Sequence, residues 1–420
     1  MTTAAFKTTA SFRRFAFKSI AALMFVGFMC GANMAEAAGF QDWLQHFKTR
    51  ATARGIAEDL YLQLMRFITQ DPSVYKDVRD QPEIKEDVAQ YLNRRVSDWR
   101  IREGRAKAQQ YATLLQNVER TYGVHSAIVA SIWGMESSYG ALVDNPKYMK
   151  PVLNSLATLA YGEPRRRLYW EKEFLNALVI VARGWAKPEE MIGSWAGAMG
   201  HTQWMPEVWL NVGLDFNRDG KISPFGPPDD ALASTAQYLA KRGKYQPGIP
   251  WGFEVKADNA FNMKLADNRV YRSLSDWEAR GLMNADGTPF KLKDMKVRVT
   301  FPSGPKGPGF ALTPNFNAVM SYNPSFKYAL SVCLLADRLM GSEGLVTPWP
   351  GAERQLSLEE LQEMQQRLTR LGFDTGGTDG RVGKDTIVAL KKFQVARGLK
   401  ADGQTGPKLL EALRTEEKKN

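Results

Sequence analysis

The chain has 420 residues, of which 44% are hydrophobic and 24% are charged, and its formal net charge is +11. The length suits two or three domains, and the composition is that of a globular protein with enough apolar residues to bury a sizeable core. The positive charge favours a polyanionic partner: nucleic acid, an anionic membrane surface or the acidic cell wall. Because the basic residues do not gather into one long arm, the sequence argues against nucleic acid.

Residues 1–37 have the features of a secretory signal. A basic stretch with the pair Arg13-Arg14 precedes an apolar run over residues 20–29, and small residues before and at Ala37 provide a cleavage site. The apolar run is too short to span a bilayer comfortably, so we expect no transmembrane segment in the mature chain and a periplasmic location. The arginine pair leaves export by the twin-arginine route open beside the general route.

Apolar residues recur every three or four positions through residues 39–245 and predict helices. The stretches with this pattern are Gly39–Arg50, Ala57–Phe67, Ile84–Trp99, Ile101–Tyr122, His125–Ser137, Arg166–Gly184, Lys187–Trp195 and Asp230–Arg242. Residues 250–302 differ, because Trp251–Val255 and Lys296–Phe301 alternate between apolar and polar residues and predict strands. The helical pattern returns over Phe326–Met340 and completes a domain that we place at residues 38–345.

A proline-containing linker is predicted at residues 346–355, and a compact three-helix module at residues 356–415. The module contains an internal repeat, since Asp379–Gly383 recurs as Asp402–Gly406. Each copy is expected to form a turn just before a helix, because glycine adopts positive φ at little cost and an aspartate side chain can accept hydrogen bonds from nearby amides.

The helix predicted at His125–Ser137 carries a carboxyl group on its apolar face. Ile132 and Trp133 follow the helical spacing of apolar residues, and Glu136 continues it. A carboxyl group against apolar walls resists ionisation, so we expect a raised pKa that would let Glu136 donate a proton near neutral pH. The spacing alone favours a structural ion pair or a solvent-facing helix end over catalysis.

The segment Gly134–Gly140, with Glu136 at its centre, resembles the lysozyme-like lytic transglycosylases, and Ser194–Pro206 narrows the resemblance to the membrane-bound lytic transglycosylase B type. Further motifs follow in the family's order: Arg165-Arg166, Asp230–Ser234 with Tyr238, and Ser321–Asn323. The resemblance covers about residues 40–340. It implies a mostly α, lysozyme-like catalytic domain with a small β-containing insertion.

The C-terminal module independently resembles the peptidoglycan-binding module of cell-wall enzymes. The matching residues are Leu371-Gly-Phe373, Asp379-Gly380, Thr386, Phe393-Gln394 and Gly398-Leu399. Together the two resemblances imply that peptidoglycan glycan strands are the partner. Protein partners cannot be read from the sequence.

The resemblance implies that Glu136 protonates the oxygen between N-acetylmuramic acid and N-acetylglucosamine, and then acts as a base on the muramoyl 6-hydroxyl. That hydroxyl attacks its own anomeric carbon and leaves a 1,6-anhydro end, without water, a cofactor or a second catalytic carboxylate. The nearest following carboxylate, Asp144, is expected in a turn. A muramidase that uses water and a non-catalytic wall-binding protein remain alternatives.

The same resemblance implies substrate-binding roles for Ser194, Gln203, Tyr238, Tyr322, Arg165 and Arg166. Ser194 and Gln203 would bind the sugar or position the catalytic carboxyl, and Tyr322 would lie near that carboxyl. The alternatives are that Ser194 and Gln203 only tie down a glycine-rich loop and that Tyr322 is a core aromatic. The arginines would bind carboxylates of the substrate, or lie on a solvated face.

Residues 215–222 match the first half of an EF-hand calcium loop, although Gly226 stands where the usual glutamate would be. The resemblance implies a later aspartate instead, Asp230, with Asp229 as its rival. The predicted ligands of a structural calcium ion are therefore Asp215, Asn217, Asp219, Lys221 through its carbonyl, and Asp230. A turn rich in aspartate and asparagine that binds no metal is the alternative.

Other hydrolytic chemistries lack their motifs. The chain has three histidines, and the H-E-x-x-H, C-x-x-C and G-x-S-x-G patterns are absent from the sequence, which excludes zinc-peptidase and serine-hydrolase sites of those types. Without the signal one cysteine remains, Cys333, so no intramolecular disulfide can form. Cys333 lies in an apolar run, and we expect a buried thiol.

Overall fold

A computed structural model describes residues 39–79, 86–351 and 353–417, so the predicted signal lies outside the described residues. The chain forms two compact units. The first contains the described residues up to Tyr75 together with Pro151–Met191, and the second contains Lys76–Lys150 and the residues from Ile192 onward.

The described residues are mostly helical. The helices are α1 (39–53), α2 (Glu58–Met65), α3 (Ser73–Arg79), α4 (Val88–Arg95), α5 (Asp98–Gln110), α6 (Ala112–Tyr122), α7 (Ser126–Ser137), α8 (Val152–Gly162), α9 (Arg167–Ala182), α10 (Pro206–Asn211), α11 (Asp229–Lys241), α12 (Leu274–Glu278), α13 (Pro314–Tyr322), α14 (Phe326–Leu339), α15 (Leu358–Arg370), α16 (Lys384–Ala396) and α17 (Pro407–Glu417). The strands are β1 (Lys150–Pro151), β2 (Ile192–Gly193), β3 (Gly252–Ala257), β4 (Arg272–Ser273), β5 (Leu282–Asn284), β6 (Lys296–Thr300) and β7 (Gly309–Leu312). Among the described residues, each helix is too short or too polar to cross a membrane.

Five predicted helices are confirmed to within two residues at each end, as α2, α7, α9, α11 and α14. The helix predicted over residues 101–122 is instead two helices, because Tyr111 leaves helical geometry with φ −108° and ψ 27°. The helix predicted over residues 187–195 is wrong. That segment forms one 3-10 turn, Pro188–Glu190, and then β2. Its apolar spacing imitates a helix, but Gly193 and Gly197 disfavour helical continuation.

An aromatic cluster forms the core of the first unit. Trp43 and Phe47 of α1 pack on Phe174 of α9, with ring centroids 6.2 and 5.3 Å apart. At the edge of this cluster, Arg50 donates a hydrogen bond to the buried carboxylate of Glu171. Burial of the aromatic rings supplies most of the stabilisation, at about 25 cal/mol for each Å² of apolar surface.

Helix α7 lies at the centre of the second unit and contacts α5, α6, α11 and α14. Every residue of α7 except Ser126 and Glu136 is buried, as expected for a helix that is apolar on all sides. Gly134 is required here, because a Cβ at this position would lie 2.4 Å from the ring of Tyr139. The thiol of Cys333 on α14 is buried in the same core, as predicted.

The predicted β-containing insertion is confirmed as a five-stranded antiparallel sheet of order β4-β6-β7-β3-β5. The predicted strands correspond to β3 and β6. The sheet has its own small apolar core, in which Val255 and Val299 surround Trp277 of α12. The indole of Trp277 donates to the carbonyl of Val297 at 2.9 Å, so the buried N–H is satisfied.

The C-terminal module is built from α15, α16 and α17 around an apolar core. Its internal repeat has a structural reason. The side-chain oxygen of buried Gln365 accepts a hydrogen bond from the amide of Gly380 at 2.7 Å, and buried Gln394 accepts in the same way from Gly403 at 2.8 Å. Both glycines have positive φ, +79° and +71°. Each loop is therefore fixed to a helix by one glutamine.

The segment predicted as a linker is held to the second unit at both ends. The amides of Val346 and Thr347 donate to the carboxylate of Glu254, each at 2.7 Å. Further along, the side chain of Gln355 donates to that of Asn93 at 3.1 Å. We call the described residues of this segment, 346–351 and 353–355, the strap, because these bonds hold residues at both of its ends.

The module also contacts the helices that precede the strap directly. The amide of Leu358 donates to Asp98 at 3.0 Å, and Arg102 pairs with Glu359 at 2.7 Å. In addition, the guanidinium of Arg381 lies 4.7 Å from the ring centroid of Trp99. Through these contacts the module lies against α5, the helix that packs on α7.

Candidate active site

Helix α7 is fixed at both ends, and Glu136 lies in its last turn. At its start, the ring of His125 accepts a hydrogen bond from the amide of Ala127 at 3.2 Å. At its end, Ser138 and Tyr139 both adopt positive φ, 53° and 59°. Positive φ costs a residue with a side chain about 1–2 kcal/mol, and such strain is concentrated at functional sites. The sharp turn leaves the half-buried Glu136 at the edge of the core.

The carboxyl group of Glu136 is held by a tyrosine. The hydroxyl of Tyr328, on α14, donates a hydrogen bond to Oε1 of Glu136 at 2.5 Å. The ring is 4% exposed, and burial, followed by the negative charge of Glu136, raises the pKa of Tyr328 well above that of a free phenol. Tyr328 therefore stays protonated and acts as a permanent donor to the carboxyl group.

Two of the predicted tyrosines lie beside this contact. The hydroxyl of Tyr322 donates to the carbonyl of Thr202 at 2.5 Å. Burial and then the charge of Glu136 raise the pKa of Tyr322. Its predicted role in substrate binding stays a prediction. Tyr238 packs edge-on against Tyr322, with centroids 5.3 Å apart, and its hydroxyl donates to the carbonyl of Ser321 at 2.8 Å. Tyr238 is partly exposed, so its ring is available to a ligand.

Ser194 and Gln203 both stabilise the glycine-rich loop. The hydroxyl of Ser194 accepts from the amide of Ala198 at 3.2 Å, and the side chain of Gln203 donates to the carbonyl of Gly200 at 3.0 Å. Gln203 itself has φ 53°. The loop is thus held in one shape by its own polar side chains, and sugar binding by either residue stays a prediction.

Arg165 and Arg166 belong to the first unit, at a 3-10 turn, Pro164–Arg166. Both residues are exposed. The guanidinium of Arg166 lies 4.1 Å from the ring centroid of Tyr169, in cation–π geometry. Their predicted contact with substrate carboxylates stays a prediction.

The aspartate-rich loop folds around its own amides. Asp215 accepts hydrogen bonds from the amides of Asp219 and Gly220 at 3.1 and 2.9 Å. Asp230, in the first turn of α11, is buried and accepts from the amides of Phe216 and Ser223 at 2.7 and 3.0 Å. Burial raises the pKa of Asp230.

The donor types of this loop, carboxylate, carboxamide and carbonyl oxygens, fit calcium. Asp230, and not its neighbour Asp229, is the aspartate bonded to the loop. Within the described ranges, however, no group of three or more His, Cys, Asp or Glu residues is gathered closely enough to hold a metal ion.

Known families match both parts of the chain. Residues 39–337 match the family model of the transglycosylase SLT domain, and residues 357–413 match that of a peptidoglycan binding domain. The chain belongs to the transglycosylase SLT domain family. The predicted fold class, mostly α and lysozyme-like with a helical wall-binding module, is confirmed.

Relatives of this SLT-domain chain are known. It is 28% identical over 236 residues to membrane-bound lytic murein transglycosylase B of Escherichia coli (strain K12), over 53% of this chain and 59% of that protein. The chain therefore spans less than two thirds of the length of this curated relative. It is 39% identical to SltB3 from Pseudomonas aeruginosa, whose structure holds NAG-anhNAM-pentapeptide, with TM-score 0.70 over 89% of this chain and 99% of that one. Soluble lytic transglycosylase SltB1 from Pseudomonas aeruginosa is 28% identical, with TM-score 0.61 over 71% of this chain and 98% of that one.

The sequence analysis missed Tyr328. It follows Tyr322 by six residues at the start of α14, where it continues an apolar pattern. A buried tyrosine needs a partner for its hydroxyl, which is the general signal that could have drawn attention to it. The sequence does not identify that partner, because Glu136 is 192 residues away.

Proposed function

We propose that this protein is a lytic transglycosylase, which cleaves the bond between N-acetylmuramic acid and N-acetylglucosamine in peptidoglycan and forms 1,6-anhydro ends. The observation that carries the proposal is the carboxyl group of Glu136, presented at the end of a buried helix and held by Tyr328 at 2.5 Å. Asp144, the nearest following carboxylate in the sequence, is exposed in a turn. This supports a mechanism with one catalytic carboxyl group, in contrast to glycosidases that use a pair.

In the proposed reaction, protonated Glu136 gives its proton to the glycosidic oxygen as the bond from that oxygen to the muramoyl anomeric carbon breaks. The carboxylate then removes the proton from the muramoyl 6-hydroxyl, whose oxygen forms the new bond to the same carbon. Tyr328 restricts rotation of the carboxyl group during both steps. Positioning of this kind lowers the barrier, because the reacting atoms are already oriented.

Product analysis tests the proposal most directly. Digestion of purified sacculi should release fragments that end in 1,6-anhydro-muramic acid, which mass spectrometry separates from fragments with a reducing end. Reducing ends alone would identify a muramidase.

The catalytic assignment is tested by Glu136→Gln. The amide has nearly the shape of the acid but cannot donate an acidic proton, so turnover should be lost while binding to sacculi remains. Removal of residues 352–420 is the matched control, with weaker sacculus binding and retained cleavage of short soluble glycans. Normal turnover by Glu136→Gln would refute the role of this residue.

We also propose that residues 38–345 form the catalytic domain, that residues 356–415 bind the cell wall, and that the protein works in the periplasm after loss of the signal at residues 1–37. Peptidoglycan lies outside the inner membrane, so a secreted enzyme meets its substrate there. Radiolabelled precursor processing in cells, followed by N-terminal sequencing of the mature protein, tests the cleavage site after Ala37.

We further propose a structural calcium ion in the aspartate-rich loop, with ligands from Asp215, Asn217, Asp219, Lys221 and Asp230. The support is the oxygen-rich donor set and the position of Asp230 beside the loop. Calcium should raise the melting temperature and a chelator should lower it, since a ligand of the folded state stabilises it. Equal melting temperatures with and without chelator would show that the loop is closed by its amides alone.

A further inference from the structure

His201 contacts the last turn of α7 on both sides of Glu136. The indole Nε1 of Trp133 donates a hydrogen bond to Nδ1 of His201 at 3.1 Å. The hydroxyl of Ser137 donates to the carbonyl of the same histidine at 2.6 Å. Trp133 precedes Glu136 by three residues and Ser137 follows it directly, so His201 holds the helix turn that carries the carboxyl group.

The second ring nitrogen fixes the form of the imidazole. Nε2 of His201 lies 2.7 Å from the carbonyl oxygen of Gly226. A carbonyl can only accept, so Nε2 carries the hydrogen, and Nδ1 of the neutral ring then has the lone pair that accepts from Trp133. Protonation of Nδ1 would break the hydrogen bond from Trp133, because the new N–H of the ring and the indole N–H would both be donors.

The surroundings of the ring favour this neutral form. His201 is 9% exposed, and burial lowers its pKa. Of the charged groups that act on the ring, Asp144 favours protonation and Lys107 opposes it. The space is also tight, because a Cβ at Gly140 would lie 2.8 Å from Cε1 of His201.

The main chain of His201 extends the same connection. Its amide donates to the carbonyl of Pro224 at 2.9 Å, and it lies two residues before Gln203 in the glycine-rich loop. One residue therefore joins the last turn of α7, the glycine-rich loop and residues 224–226. The reaction described above uses none of these bonds directly.

We propose that His201 is a positioning residue for the transglycosylase reaction, which in its neutral form fixes the last turn of α7, and with it Glu136, against the glycine-rich loop. The inference rests on the proposed function. It predicts that loss of the hydrogen bond from Trp133 to Nδ1 lowers kcat more than loss of the hydrogen bond from Nε2 to Gly226.

Three substitutions separate these contacts. His201→Asn places a carboxamide oxygen near the position of Nδ1 and keeps an acceptor for Trp133, whereas His201→Gln places an N–H near the position of Nε2 and keeps a donor to Gly226. His201→Phe keeps the volume and removes both. His46→Gln, at an exposed histidine of the first unit, is the matched control.

The proposal predicts that kcat on short soluble glycans falls about 10–100-fold in His201→Phe with KM little changed, since misplacement of a catalytic group by about 1 Å has an effect of this size. His201→Asn should recover kcat more fully than His201→Gln. Burial lowers the pKa of His201 below the free value of about 6.5, and at pH values below this lowered pKa the wild type should lose activity more steeply than His201→Asn. Wild-type kcat in folded His201→Phe, or equal kcat in the Asn and Phe variants, would overturn the proposal.

A spectroscopic measurement separates failure of this inference from failure of the proposed function. Nitrogen NMR of labelled histidine in the full chain should show His201 as the Nε2–H tautomer, with protonation at a lower pH than for free histidine. An Nδ1–H tautomer, or a ring that is protonated at neutral pH, overturns the positioning role whatever the activity. If the wild type makes no 1,6-anhydro ends, the proposed function fails even when the tautomer is as described.

Discussion

Carboxyl groups have opposite pKa shifts in two regions of the molecule, the core around α7 and α14 and the C-terminal module. In the core, burial raises the pKa of Asp337 to about 6 and also raises that of Asp230. In the module, arginine partners lower the pKa of Glu360 and Glu363 to about 2. In the core, burial disfavours the charged forms of these two acids, whereas in the module arginine partners favour the charged forms of acids in surface ion pairs.

The same contrast appears in the bonds that set geometry. Near Glu136 the bonds involve buried side chains, since Tyr328 donates to Glu136 and Trp133 donates to His201. The ion pairs of the module are instead partly exposed, as in the pairs of Arg414 and Arg367 with Glu363. Loss of a buried partner leaves a polar group unsatisfied, while exposed pairs contribute little and are screened by salt. Substitutions in the two regions should therefore differ in size and in salt dependence.

The largest effect is expected for Tyr328→Phe. Removal of the hydroxyl frees the carboxyl group of Glu136 to rotate, and kcat should fall about 10–100-fold with KM little changed. Tyr61→Phe is the control, since it removes a buried tyrosine hydroxyl that donates to the carbonyl of Leu44 at 2.6 Å in the first unit. Steady-state kinetics on short glycans compares the two. An unchanged kcat in Tyr328→Phe would mean that Glu136 is positioned without Tyr328.

The next largest effect is expected from loss of a buried polar contact in the module. Gln365→Leu removes the partner of the Gly380 amide, and the free energy of unfolding of the module should fall by about 2 kcal/mol. Gln394→Leu should have a similar effect, because its contact with Gly403 repeats the first. Hydrogen exchange of module amides, followed by mass spectrometry, measures both. Kinetics on short glycans should be unchanged, and a smaller loss than for an exposed ion pair would contradict the contrast between buried and exposed contacts.

Asp337→Asn should stabilise the protein in a pH-dependent way. The folded pKa is about 6, above the unfolded value of about 3.9. The unfolded state thus releases its proton first, and stability is lost as pH rises between these values. Asparagine avoids this loss and keeps an acceptor for the indole of Trp251, which donates to Asp337 at 3.0 Å.

The melting temperature of Asp337→Asn should therefore match the wild type near pH 4 and exceed it near pH 7, by the equivalent of about 2–3 kcal/mol. Thermal melting across this range gives the comparison. A variant that is less stable than the wild type at pH 7 would show that the charged form of Asp337 contributes to folding.

The smallest effect is expected for Arg414→Ala, which removes one partner of Glu363. The loss of stability should be small in low salt and smaller still in high salt. Because the pKa of Glu363 is lowered, this contribution is present above the unfolded value of about 4.3 and is lost as pH falls toward 2. Hydrogen exchange at two salt concentrations measures it, and a loss that salt does not change would contradict the prediction.

The sequence predicted the elements whose signal is local. Helix α7 with Glu136, the strands β3 and β6, and the repeated turns of the module follow from apolar spacing, alternation and glycine positions. It did not predict what depends on contacts between distant residues. In the sequence Tyr328 cannot be distinguished from other core aromatic residues, because its contact with Glu136 is long-range. The helix predicted over residues 187–195 was wrong because Met191 fits a helical spacing, although the glycines that follow it disfavour a helix.

The contacts of Tyr322 could not be predicted from the motif that contains it. Its hydroxyl is bonded to the main-chain carbonyl of Thr202, and side-chain patterns in a sequence do not show which main-chain atoms lie nearby. Arg165 and Arg166 belong to the other compact unit of the chain, and their contact with substrate stays a prediction. The family resemblance therefore gave expected roles, and the structure gave hydrogen-bond partners.

The hydrogen bonds of the strap bear on the proposed function through distance. A free ten-residue linker would have an end-to-end distance of about 18 Å that varies widely, so the module could bind the wall at many distances from the cleaved bond. Because Val346 and Thr347 are bonded to Glu254, this freedom is reduced. If the chain cleaves and binds peptidoglycan as proposed, the lengths of the released fragments should cluster around an interval that the fold sets.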